Sequence, residues 1–211
     1  MADIKIARRV LGALGTNCYF VWNTENKECI IFDPAAQADV IYNFVQENGL
    51  KVVAVYLTHG HFDHILAADA VREKYGVKIN ILDEDMSLAM NAQENLSEAF
   101  SYSYVLKADT QVSDGQVITV SEMTFRVIHT PGHTKGSCCY YFEDAKILIS
   151  GDTLFNGSVG RTDFPTGSTS SLYRSIKDKL LILPDDTLVY PGHGDETTIG
   201  ESKKFFAGYG Y

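Results

Sequence analysis

The apolar positions of this chain fall into short runs, and most of those runs stop abruptly at a residue able to hold a cation or move a proton. The clearest is residues 52–57, a valine-rich run that reads as a buried strand and ends in Thr58-His59-Gly60-His61-Phe62-Asp63-His64. Ahead of it, to Asp33, the chain has short segments of β character. Residues 12–17 read as a turn, 18–22 as a strand, 23–27 as a second turn, and 29–32 as a strand closed by Asp33-Pro34. In residues 36–48, Val40, Ile41, Phe44 and Val45 share one face of a helix that Gly49 stops. Residues 65–75 read as another helix, with Ile65, Leu66, Ala68 and Val71 apolar and Gly76 as terminator, and 77–82 as a further strand. This alternation predicts helices packed on a mostly parallel or mixed sheet.

Residues 83–91 open with three acidic residues and read as a helix. Beyond them Phe100, Tyr102 and Tyr104 recur at a period of two, which predicts a strand against the core. The alternative is an aromatic flap near the site, with Tyr102 and Tyr104 reaching substrate. Residues 117–120 and 125–128 form a hairpin about Ser121-Glu122, and 137–142 with 146–149 form a second pair. After a long polar connection, one of Ser168, Thr169, Ser170 or Ser171 caps a helix carrying Leu172, Ile176, Leu180 and Leu181, which Pro184 ends. A strand at 187–190 and a helix at 196–206 follow. Strands thus precede a helix in both halves, as in two similar halves set face to face.

Composition narrows the function classes. With 211 residues, 45% hydrophobic and 21% charged, the chain has a globular balance and is read as one domain over residues 1–211. A net charge of −9 argues against a nucleic-acid partner. The four cysteines, at 18, 29, 138 and 139, lack the close pairing of a zinc knuckle or a redox CxxC motif and are read as buried free thiols. No signal peptide or membrane span is expected, which together with free thiols points to the cytoplasm; a monomer or small homo-oligomer is expected.

The strand ends carry the chemistry. His59, His61, Asp63 and His64 follow the first; His129 and then Thr130-Pro131-Gly132-His133 follow the strand at 125–128. Gly151-Asp152 and Pro191-Gly192-His193 follow two more. Imidazoles with carboxylates suit zinc, iron or manganese, and the lack of cysteine among them argues against copper or an iron–sulfur cluster. His59 and His61, two apart, point the same way along an extended segment, with Gly60 bending the chain between them, and Asp63 is a plausible helix N-cap. Six or seven such groups crowd a single four-coordinate ion and are better placed on two ions sharing a carboxylate and a water. His129 is read as a structural or supporting residue. There is no Gly-x-Ser-x-Gly elbow for serine chemistry.

Thr58-His59-Gly60-His61-Phe62-Asp63-His64 resembles the metal-binding signature of the metallo-β-lactamase superfamily. Thr130–Thr134, Gly151–Phe155 and Tyr190–Gly194 resemble its glyoxalase II branch. The resemblance implies an α/β fold, a four-layer αββα sandwich with two central mixed β-sheets. It implies that His59, His61 and His133 hold one divalent ion, Asp63, His64 and His193 a second, and that Asp152 bridges them, with Zn2+ expected first and Fe or Mn as alternatives. Asp63 and Asp152 are the catalytic candidates, and a small-molecule thioester such as S-D-lactoylglutathione is the expected substrate. Many two-zinc β-lactamases have cysteine where Asp152 stands, which counts against antibiotic hydrolysis. Only 18 residues follow His193, too few for the C-terminal helical domain of classical glyoxalase II. Gly160-Arg161-Thr162-Asp163-Phe164 also resembles the persulfide dioxygenase branch, which uses one iron; here Arg161 either meets a substrate carboxylate or pairs with Asp163. A metal-stabilised protein without turnover is the remaining alternative.

Overall fold

The structure, a computed structural model, describes residues 3–208. Strands β1 (Ile4–Leu11), β2 (Thr16–Asn23) and β3 (Glu28–Phe32) pair antiparallel in chain order. Helix α1 (Ala38–Glu47) then crosses to β4 (Lys51–Tyr56), and α2 (Phe62–Ile65) and α3 (Ala68–Tyr75) lead to β5 (Ile79–Leu82). Helix α4 (Asp83–Ala89) and a long connection reach β6 (Thr110–Val112), and β3 to β6 are parallel neighbours. The second sheet begins with the antiparallel run β7 (Val117–Val120), β8 (Met123–His129), β9 (Cys138–Phe142) and β10 (Ile147–Gly151). A small pair, β11 (Leu154–Phe155) and β12 (Ser158–Val159), precedes α5 (Thr169–Ser175), which runs on through a wider turn to Leu180. Strand β13 (Leu188–Pro191) joins β10 in parallel, β14 (Thr197–Thr198) pairs β13, and α6 (Ile199–Gly208) follows. Two mixed six-stranded sheets result, ordered β1-β2-β3-β4-β5-β6 and β14-β13-β10-β9-β8-β7.

Side-chain alternation builds the layers. Along β2, Cys18, Phe20 and Trp22 pack outward with α1 and α3, while Tyr19 and Val21 pack between the sheets. On β9, Cys138, Tyr140 and Phe142 join that inter-sheet core, and Cys139 and Tyr141 face the layer of α5 and α6. Central strands buried on both faces are what continuous apolar runs predict. The architecture is the αββα sandwich. All four cysteines are buried and free, and the adjacent pair faces opposite sides of its sheet. Among the described residues no helix is long and apolar enough to cross a membrane.

Several expectations change. The hairpin turn at Ser121-Glu122 is as read, both residues adopting positive φ of 52° and 65°. Ser168 is the cap of α5, its side chain accepting from Ser171 N. The helix expected over 65–75 is broken between Ile65 and Ala68. Asp63 does not cap α2: His61 occupies that position, and Asp63 lies in the first turn. Phe100, Tyr102 and Tyr104 form no strand. Ser101 and Ser103 take positive φ (64° and 45°), which breaks the pleat that period two requires. Phe100 and Tyr102 both stack on Phe62, with ring centroids 4.7 and 5.7 Å away. The edge strands β1 and β6 escape the sequence pattern because their side chains are mostly only part-buried or exposed.

Candidate metal centre

Strands β3 and β4 end at one edge of the first sheet, and β8, β10 and β13 end at one edge of the second, by the parallel pairings above. The two edges are joined where Cys138 N donates to Thr58 O (2.8 Å) and Tyr140 Oη donates to Leu57 O (2.7 Å). The loops leaving these strand ends therefore meet. They bring His59, His61 and His133 into one cluster, His59, His64 and Asp152 into another, and Asp63, His64 and His193 into a third, each with ligand atoms within 4.8 Å of one another.

The spacings discriminate between a hydrogen-bonded network and a set of ligands. His193 Nε2 is 3.3 Å from Asp63 Oδ2 and 3.6 Å from Asp152 Oδ2; His64 Nε2 is 3.6 Å from Asp63 Oδ2 and 3.4 Å from Asp152 Oδ1. His133 Nε2 lies 3.5 Å from Asp152 Oδ2. Charge-assisted N–H···O bonds are shorter, about 2.7–2.9 Å. Donors 2.0–2.1 Å from one tetrahedral ion are about 3.3 Å apart, the edge of that tetrahedron. In addition, His59 Nε2, His61 Nε2, His64 Nε2 and Asp152 Oδ1 are buried without a hydrogen-bond partner. Buried polar atoms are rarely left so. The donor set fits divalent ions.

The imidazoles are oriented from behind. His64 Nδ1 donates to Asp33 Oδ2 at 2.9 Å, and Thr58 Oγ1 donates to the same oxygen at 2.7 Å. With its proton committed there, Thr58 Oγ1 accepts from His59 Nδ1 at 3.1 Å. His133 Nδ1 donates to Arg161 O at 2.7 Å. Three histidines thus present Nε2 lone pairs inward, the second-layer arrangement typical of metal-ligating imidazole. His61 turns Nδ1 toward His133 Nε2, 2.9 Å away. Asp63 is steadied by Thr16 Oγ1, which donates to Oδ2 at 2.7 Å.

The electrostatics agree. Burial, then the neighbouring imidazoles, holds His59 well below its ordinary pKa, and burial with His133 brings His61 down to about 3. Both stay neutral donors at physiological pH. Burial alone would raise the two carboxyls, but the imidazoles outweigh it: His64 leads in bringing Asp152 to about 2 and in holding Asp63 below the usual range. Burial opposes charge on His64 and His193 too, yet the carboxylates raise both. Neutral imidazoles and ionised carboxylates are the forms that bind cations, so an ion entering beside Asp63 and Asp152 displaces the protons those carboxylates favour on His64 and His193.

Comparison with known proteins follows the same line. The family model for the metallo-β-lactamase superfamily matches residues 11–193. The chain belongs to the metallo-β-lactamase superfamily. Among superfamily relatives, a probable metallo-hydrolase of Bacillus subtilis, YqgX, is 37% identical, with 93% of each chain covered. The hydroxyacylglutathione hydrolase GloC of Haemophilus influenzae is 33% identical over 91% of this chain and 92% of its own. The crystal structure of the B3 metallo-β-lactamase BLEG-1 superposes with a TM-score of 0.90 at 36% identity, covering 95% of this chain and 97% of that one. TTHA1623 in a di-iron-bound form gives 0.84 at 31% identity, covering 94% and 98%.

Within this metallo-β-lactamase fold the other candidates fall differently. Arg161 is exposed and donates to Asp163 through Nε (3.0 Å) and Nη2 (2.7 Å), with its guanidinium over the Phe164 ring. That is the structural pairing weighed above. Tyr102 is exposed beside Phe62 and lines a cavity that reaches Asp63. Tyr104 instead sends its hydroxyl to Asp69 Oδ2 on α3 at 2.9 Å and packs on the outer core, so it is engaged away from the donors. His129 is structural: its Nε2 meets Lys135 O at 2.8 Å. Gly60 has no left-handed φ; it is small because α4 approaches, Ala89 N lying 3.0 Å from where a Cβ would sit.

Sequence reading missed the supports. Asp33, noted only as a strand end, is one; its signal was an aspartate closing a buried strand. Asp85 is fully buried and accepts from Gly60 N (2.8 Å), Thr134 Oγ1 (2.9 Å) and Gly136 N (2.9 Å), so it ties the His59–His64 loop to the Thr130–His133 loop. Asp85→Ala strands three buried donors, at roughly 1 kcal/mol or more each. A loss of about 3 kcal/mol in urea unfolding is expected, with Asp85→Asn losing less; an unchanged midpoint would refute the staple.

Proposed function

We propose that the chain is a metal-dependent hydrolase that cleaves a thioester, S-D-lactoylglutathione or a related hydroxyacyl thiol, at this centre. His59, His61 and His133 would hold one ion and Asp63, His64 and His193 the second, with Asp152 shared. The observation that carries the reading is the convergence of these donors, with the imidazoles and carboxylates at tetrahedron-edge distances and with His59 Nε2, His61 Nε2, His64 Nε2 and Asp152 Oδ1 buried and partnerless. The likeness to the hydroxyacylglutathione hydrolase GloC supports the thioester as substrate.

Two bound divalent ions supply an activated water at neutral pH and a Lewis acid for a carbonyl oxygen. The chain's own residues do the rest. Asp33, Thr58 and the Arg161 carbonyl fix the imidazole rings, so the donors need little rearrangement. Thr16 keeps Asp63 turned inward, where its carboxylate can also pass a proton toward the departing thiolate. Zn2+ suits the donors; the di-iron form of TTHA1623 makes iron the alternative.

A second reading has an observation of its own: the likeness to BLEG-1 supports β-lactam hydrolysis. Metal-replete protein should release thiol from S-D-lactoylglutathione much faster than it opens a chromogenic cephalosporin, and should consume no oxygen with glutathione persulfide. The reverse order, or oxygen uptake, would displace the thioester reading. Elemental analysis should find two ions per chain. Chelation should lower the melting temperature, because ligand at 100 times Kd stabilises by about 2.7 kcal/mol.

A further inference from the structure

Beside the metal centre, on the Asp63 side, the surface is hollowed. A cavity of about 140 Å3 has Thr16 and Asp63 among its walls, with Leu14, Phe62 and Leu66. It shares Gly12, Ala13, Ala36, Leu66 and Tyr102 with a wider recess of about 590 Å3 that continues toward Ala70 and Gln37. Small side chains keep the path open: a Cβ on Gly12 would already come within 3.3 Å of Ala36 Cβ. Among the described residues, no lysine or arginine lines either space. Leu14, Phe100 and Tyr102 stand over it 44%, 49% and 55% exposed, and buried Phe62 holds both aromatic rings by stacking. Large apolar side chains clustered in the open at a site are characteristic of a binding surface.

From this we infer that the groove takes an uncharged, apolar arm of the thioester, which makes thioesters with at least one such arm the favoured substrate class. This inference rests on the hydrolase reading above. Continuity with Asp63 selects the occupant: a chain attached to a carbonyl carbon or sulfur at the centre has this apolar way out. An ionised arm would lose water there without a countercharge, whereas each methylene entering the groove gains by leaving water. Arg161, the cation considered for a substrate carboxylate, is occupied by Asp163.

The test uses metal-replete full chain and two ester series. One lengthens the acyl group from acetyl to butyryl to hexanoyl on N-acetylcysteamine; the other lengthens the thiol from ethanethiol to hexanethiol under a fixed acetyl group. In one series kcat/KM is expected to rise about threefold per methylene, which also assigns the arm. Ala36→Phe and Ala70→Leu, both checked by circular dichroism, should flatten that rise. Non-hydrolysable S-alkyl thioethers of N-acetylcysteamine, titrated calorimetrically, should show the same length dependence and the same flattening. Turnover of S-D-lactoylglutathione with flat series and flat binding would overturn the groove alone. Length-dependent binding without any thioester turnover would overturn the hydrolase reading alone. A light-scattering mass that falls from dimer to monomer in Ala36→Phe would show that a second copy covers the groove, and would overturn its role as a substrate channel.

Discussion

Asp152→Ala is expected to cut kcat/KM by about a thousandfold or more, roughly 4 kcal/mol of transition-state stabilisation, and to lower bound metal from two ions per chain toward one. Asp152 is the residue that faces both halves of the centre. Its Oδ2 lies 3.5 Å from His133 Nε2 and 3.6 Å from His193 Nε2, while Oδ1 lies 3.4 Å from His64 Nε2 and is otherwise unpartnered. Among the described residues no other carboxylate spans that gap: Asp63 sits beside His64 and His193, and Asp33 is used behind His64. Removing Asp152 leaves the cluster of His59, His61 and His133 intact, so one ion should persist. Elemental analysis alongside the rate decides it; a variant that keeps two ions and its turnover would show that Asp152 bridges nothing.

The second large effect comes from a residue with no side chain. A Cβ on Gly192 would lie 2.1 Å from Asp152 Oδ1 and 2.8 Å from His64 Cε1. The backbone cannot withdraw, since Gly192 N donates to Gly151 O (2.8 Å) and Asn17 N donates to Gly192 O (2.7 Å). The added methyl must therefore displace Asp152 or His64. Gly192→Ala should lose about a hundredfold in kcat/KM, because small misplacements at a reacting centre are costly. Overpacking should also lower stability by about 1–3 kcal/mol in denaturant unfolding. Gly157→Ala is the control: it has a left-handed φ of 66° but open space around it, so it carries strain without a clash. Gly192 itself has no left-handed φ, so equal activity losses in the two variants would mean that intrusion on Asp152 is not what the Gly192→Ala variant reports.

Much of the centre was legible because its residues sit on strand ends, and strand ends are visible wherever a buried apolar run stops. His59, His61, Asp63 and His64 announce themselves by density alone. His133, Asp152 and His193 share the feature of following such a run, and the structure brings them to the same place. Asp33 and Asp85 were passed over because an isolated aspartate after a strand or at a helix start is ordinary in sequence. Their importance lies in what they touch, Asp33 reaching His64 across 31 positions and Asp85 reaching Gly136 across 51. The Phe100–Tyr104 alternation misled for a similar reason: a period of two implies a strand only while every φ stays extended, and Ser101 and Ser103 do not.

The sequence alone determined the order of the central strands and their helices, though not β1, β6 or the short pairs, together with the burial of those strands on both faces and the set of candidate donors. These follow from local hydrophobic periodicity and from residue chemistry, which any short window contains. Only the tertiary structure decided that the donors converge, which ring nitrogens face inward, and that Arg161 is tied to Asp163 while Phe100 and Tyr102 stand over a groove. Those outcomes depend on two sheets docking face to face with their strand ends on one side, so that loops far apart in the chain share one volume. No single segment encodes that.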